Sequence, residues 1–114
     1  MIPKTHRVRK TREFERVFSS RQSVYGRFVR ISYIYGVVNI TRCAVVISTK
    51  VSKKAVIRNK IKRRVRIIIT RLLPALLPPL DLVIVCLPTS IEVNIKEFEE
   101  DIRKTLEKVY KKVS

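Results

Sequence analysis

The chain has 114 residues, 46% of them hydrophobic, and a formal net charge of +17. That length supports one core rather than two, and that apolar content excludes a wholly disordered polymer. So strong a basic excess excludes a neutral, self-contained surface and points to polyanionic partners, chiefly nucleic acid or an anionic membrane. The charge is uneven: residues 16–80 carry fifteen Lys or Arg and no Asp or Glu, whereas residues 81–114 set six basic against seven acidic side chains.

In chain order, the opening MIPKTHRVRK has no apolar core of the signal-peptide kind. TREFERVF then reads as a short helix with Thr11 as N-cap, Glu13 in the first turn and Phe14, Val17 and Phe18 on one face. YGRFVRISYIYG reads as a strand, placing Phe28, Arg30, Ser32 and Ile34 on one face and Val29, Ile31, Tyr33 and Tyr35 on the other. RCAVVIST is a compact apolar run suited to a central strand. A helix capped by Ser52 is expected to follow and to stop near Pro74, which lacks an N–H and restricts the residue before it.

Beyond the proline-rich LLPALLPPL, DLVIVCLP is the plainest buried strand, ended by Pro88. The last element is a helix from Ile95, with Asn94 as N-cap and Glu97 placed for a capping box. Its stripe of Ile95, Phe98, Ile102, Leu106, Val109 and Val113 packs on a sheet. The single domain therefore spans residues 1–114. Cys43 and Cys86 lie far apart in apolar runs, which fits buried thiols of a reduced, cytoplasmic protein better than a metal site or a disulfide. No apolar stretch is long enough to span a bilayer before Arg71, a proline or Asp81 interrupts it.

The helix after Ser52 carries the main signal. Within AVIRNKIKRRVRIII, six of the nine residues from Arg58 to Arg66 are basic and none is acidic. At about 100° per residue, Ile57, Ile61, Val65, Ile68 and Leu72 form one stripe facing the sheet. Arg58, Lys62 and Arg66 run along one edge of that stripe, with Asn59 and Arg63 further round, and Lys60, Arg64 and Arg71 line the other edge. Five like-charge pairs at helical spacing cost roughly 1 to 2.5 kcal/mol in the free protein at low salt. A solvated face would intersperse Glu, so the pattern favours a bound polyanion.

Nucleic acid fits better than membrane, because the β-branched stripe is needed to cover the sheet and leaves no apolar face for lipid. Aromatic residues among the cations, Phe14, Phe18, Tyr25, Phe28, Tyr33 and Tyr35, suit unstacked bases, although core packing accounts for most of them. An active site is not visible: His6 is the only histidine, no pair of acids falls in the basic region, and no phosphate-binding GxxxxGK[ST] is present. No catalytic residue, metal ligand or small-molecule substrate is assigned. A ribosomal or other structural RNA-binding protein with no processing role, and a DNA-binding protein, remain as alternatives.

The run AVIRNKIKRRVR resembles the RNR-type motif of the bacterial ribonuclease P protein family. Its setting matches as well: EFERVF and SVYGRF lie upstream, and DLVIV and an amphipathic helix lie downstream. The resemblance implies an α/β (α+β) two-layer sandwich of about four strands and three helices, ordered α-β-β-β-α-β-α, with a left-handed β-α-β crossover. It implies a protein subunit of ribonuclease P, an endoribonuclease in which a catalytic RNA removes the 5′ leader of precursor tRNA. Mg²⁺ is then held mainly by the RNA. By matching position, Arg58, Asn59, Lys60, Lys62, Arg63 and Arg66 would contact the catalytic RNA, and Phe14, Phe18 and Lys50 would line a cleft for the leader. Lys60 stands where the family more often has Arg, Lys53-Lys54 where it often has Gly-Asn, and Ile67 where it often has Glu. Ser32 takes a cleft-facing strand position that is often aromatic.

Overall fold

The structure, a computed structural model, describes residues 7–8, 10–36, 40–72, 78–92 and 94–113. The expected helix stop at Pro74, and His6, lie outside them. Three α-helices and four strands follow one another as α1 (Thr11–Ser19), β1 (Ser23–Tyr25), β2 (Val29–Tyr35), β3 (Arg42–Ile47), α2 (Ala55–Leu72), β4 (Leu80–Cys86) and α3 (Ile95–Val113), with a 3-10 turn at Pro88–Glu92. This is the expected α+β order. The expected strand over YGRFVRISYIYG proves to be one strand of a hairpin, with β1 the other.

The sheet order is β1-β2-β4-β3. β2 is antiparallel to both β1 and β4, whereas β3 runs parallel to β4 across the α2 crossover. Strand alternation gives the sheet two faces. One carries Val29, Ile31, Tyr33, Cys43, Leu80, Leu82, Ile84 and Cys86, all buried beneath α2 and α3 in one apolar cluster. α2 contributes Ile61, Val65, Ile68 and Ile69 to it, and α3 contributes Phe98, Ile102, Leu106 and Val109. Helices and sheet here form the two-layer sandwich.

The expected stripes of both helices hold except at their ends, where Val113 too is only partly buried. Ile57 and Leu72 are only partly buried at the ends of α2, and Ile95 is 47% exposed because it opens α3 beyond the cluster. Asn94 caps α3 as expected, its Oδ1 accepting the Glu97 N–H at 2.9 Å. The caps of the other two helices shift. Thr11 is already helical and Lys10 is the N-cap, its N–H donating to the Glu13 carboxylate at 2.9 Å. Ser52 lies in the turn before α2, accepting the Lys54 N–H at 3.2 Å, while the Lys54 carbonyl accepts the Arg58 N–H.

The β1–β2 hairpin is fixed by a residue far away in sequence. Asp101 of α3 is buried, and its two oxygens accept the N–H groups of Arg27 and Phe28, each at 2.9 Å. Gly26 is required by this close approach, since a Cβ there would lie 2.3 Å from Thr105 Oγ1 and 2.7 Å from Asp101 Oδ2. That is the physical content of the SVYGRF segment.

Candidate RNA interface

α1 lies across the other face of the sheet and covers only part of it. Three cross-strand rows make up this face: Ile34–Asp81–Arg42, then Ser23–Ser32–Val83–Ala44, then Tyr25–Arg30–Val85–Val46. Asp81, fully buried, anchors the first row to α1. Arg42 donates to it through Nε (3.0 Å) and Nη2 (2.8 Å), and Arg16 of α1 donates to the same carboxylate. Arg42 also pairs with Glu13, and Arg16 Nη1 donates to the Tyr35 carbonyl at 3.0 Å. Hydrogen bonding to Asp81, set against desolvation, holds the Arg42 guanidinium charged with its pKa raised further. The buried Asp81 carboxylate is therefore neutralised within the fold.

This anchoring orients α1. Around the helix axis, Glu13 and Arg16 lie on one side of the fully buried Val17, whereas Phe14 and Phe18 lie on the other. Because Arg16 and Glu13 reach the first row, the two phenylalanines lie on the flank of α1 turned away from it, toward the other two rows. Phe14 is half-buried and Phe18 is 41% exposed. The third row carries Val85 and Val46, both half-buried, on the same open face of the sheet. Of the three residues expected to form a leader cleft, Phe14 and Phe18 share one flank of α1 and Lys50 is exposed in the turn past the end of β3. Ser32 is buried in the middle row and Tyr33 packs in the core below, as the alternation predicts.

The basic helix α2 presents its cations in two ways. Asn59, Lys62, Arg63 and Arg66, with Val56, line a shallow groove of about 470 Å³. Arg58 is half-buried, and its Nη1 donates to the Ser52 carbonyl at 2.9 Å, so it also fastens the start of the helix. Lys60 is exposed but outside that groove. No acidic residue lies in α2, and the only ion pair from it among the described residues is Arg71 with Glu99 of α3. The Asp81 anchor is the feature that sequence reasoning missed; its partners sit 39 and 65 positions away.

Cys43 and Cys86 are buried and free, and burial pushes each thiol up to about 12. Among the described residues, no three His, Cys, Asp or Glu side chains gather where they could hold a metal ion, and no helix is long and apolar enough to cross a membrane.

A family model described as Ribonuclease P matches residues 2–110. The ribonuclease P protein component of a Picosynechococcus species is 33% identical over 105 residues, covering 92% of this chain and 90% of the relative. The one from Coxiella burnetii is 36% identical over 98 residues, covering 86% and 80%. Among solved structures, the ribonuclease P protein from Thermotoga maritima superposes with a TM-score of 0.80 at 24% identity, covering 90% of this chain and 96% of that one. The fold is thus shared along almost the whole chain.

Proposed function

The chain belongs to the ribonuclease P protein family and is a protein subunit in tRNA processing, and from that premise we propose that it divides its two RNA contacts between α2 and the open sheet face. The cationic surface of α2, with Arg58, Asn59, Lys62, Arg63 and Arg66 on one side of the stripe and Lys60 on the other, docks on the ribonuclease P RNA. The cleft bounded by Phe14, Phe18 and Lys50 takes the single-stranded 5′ leader of precursor tRNA. Residues 1–114 act as one RNA-binding domain working in the cytoplasm, and Mg²⁺ is held mainly by the RNA subunit. A purely structural RNA-binding role is not favoured.

The observation that carries this reading is the pairing of an acid-free basic helix with an open strip on the far side of the same sheet, toward which Phe14 and Phe18 turn. Phosphates are drawn to the helix without sequence preference, while unpaired bases stack on aromatic faces. The test is reconstitution of the full chain with a ribonuclease P RNA and precursor tRNA at low Mg²⁺ and moderate salt, scoring mature 5′ ends. Cleavage is expected to rise over RNA alone, and no stimulation would sink the proposal. In the same assay Phe14→Ala and Phe18→Ala are expected to weaken precursor binding more than mature tRNA binding. Equal losses on both would make the two residues packing groups rather than a cleft wall.

A further inference from the structure

We propose that the cleft continues past β2 onto the edge strand β1, where Tyr25 and Arg30 form an additional subsite for one unpaired nucleotide of the leader. The inference rests on the leader-cleft reading above and extends it to Tyr25 and Arg30, which lie outside the basic-helix motif. Tyr25 and Arg30 are direct cross-strand partners on the open face, in the same row as Val85 and Val46. The row spans β1 to β3, roughly 14 Å at the usual strand spacing. It lies on the side of the face toward which Phe14 and Phe18 turn.

The pair has the two elements that a nucleotide needs. Tyr25 is 64% exposed, although it lies in a strand and its neighbour Val24 is buried. Its ring is available for stacking. Arg30 lies half-buried beside it, its guanidinium carbon 6.0 Å from the ring centroid, and among the described residues it forms no ion pair. A guanidinium in contact with an aromatic face keeps most of its donors for a phosphate and rigidifies the ring at the same time. By contrast the two arginines of the first row, Arg16 and Arg42, are committed to Asp81.

Ring position is set from behind. Gly26 follows Tyr25, and its N–H donates to the Val29 carbonyl at 2.7 Å while Asp101 holds the next two N–H groups. A platform on so constrained a turn loses little entropy when a base lands on it. The centre of the face cannot do this: Ser32 occupies the middle of β2 and is buried. Stacking on this sheet is therefore displaced outward by one row and one strand, from Ser32 to Tyr25.

The subsite is tested with the reconstituted holoenzyme and precursor tRNAs whose leaders lengthen one nucleotide at a time. In wild type, affinity should rise in a step when the leader becomes long enough to reach Tyr25. Tyr25→Ala should remove that step, weakening long-leader precursors about five- to a hundredfold, and should leave mature tRNA and the shortest leader unchanged. Tyr25→Phe should restore it. Arg30→Ala should lower the salt slope of long-leader binding by about one. A uniform loss across all leader lengths, or no loss, would overturn the subsite. Phe14→Ala separates the two levels of the argument: if it still discriminates precursor from mature tRNA while Tyr25→Ala does not, only the subsite falls. If neither discriminates, the leader cleft falls with it.

Discussion

α2 and α3 cover the same sheet face with stripes of similar size, yet they treat their charges in opposite ways. α3 alternates signs, pairing Lys104 with Glu100 at 3.2 Å and Arg103 with Glu107 at 3.1 Å. α2 carries no acid at all, so its cations repel one another along both edges of the stripe. The same sheet accepts both helices, which separates what the fold requires from what it tolerates. The fold requires the stripes. Charge balance on α3 is sufficient for a solvated helix, and its lack on α2 is a cost that a bound polyanion would offset.

The largest expected effects lie where the helices are alike. Ile68→Ala in α2 and Ile102→Ala in α3 each remove a fully buried side chain and should each cost about 2 to 5 kcal/mol by denaturant unfolding. A large inequality would mean that one helix docks only with RNA bound. The next effect should separate them. α3 contains one charge the fold depends on, and Asp101→Ala would strand the Arg27 and Phe28 N–H groups at about 1 to 3 kcal/mol each. No single charge removed from α2 should approach that figure.

A smaller effect probes the sheet that both helices cover. Burial raises the Cys43 and Cys86 thiols from 9.0 to about 12, with Lys62 partly opposing this at Cys86. In the unfolded chain these thiols ionise near pH 9, so above it the unfolded state holds fewer protons than the folded one. Stability should therefore be complete below pH 9 and fall as pH rises toward 12, by up to about 1.4 kcal/mol per thiol per pH unit. Denaturant titrations between pH 8 and 10.5, with a Cys43→Ala/Cys86→Ala variant as reference, would show the variant's profile to be flatter. Equal slopes would mean the thiols are not sealed beneath the helices.

Much of this was legible because it is periodic. The stripes of α2 and α3, the apolar run of β4 and the two faces of β2 follow from spacing alone, and the uncompensated charge of α2 follows from counting. What escaped is tertiary. Gly26 is the one local mark of the hairpin turn, and a lone glycine does not show that Asp101 fixes that turn from more than 70 residues away. Thr11 is a better N-cap by residue type than Lys10, but Glu13 reaching back to the Lys10 N–H decides the boundary. Asp81 reads as the start of a strand, and only the fold brings Arg16 and Arg42 onto it to turn Phe14 and Phe18 away from the first row.

The central claim, that Lys62, Arg63 and Arg66 of α2 serve RNA and not the fold, is tested most directly by the salt dependence of binding to a ribonuclease P RNA. The comparison is between Lys62→Ala/Arg63→Ala/Arg66→Ala in α2 and Arg103→Ala/Lys104→Ala/Lys108→Ala in α3. The α2 variant should lower the slope of log affinity against log salt by roughly 2 to 3, with thermal stability unchanged or raised. The α3 variant should leave the slope unchanged and lose a few tenths of a kcal/mol of stability per broken pair. Equal slopes for the two variants, or a loss of stability confined to the α2 variant, would contradict the account.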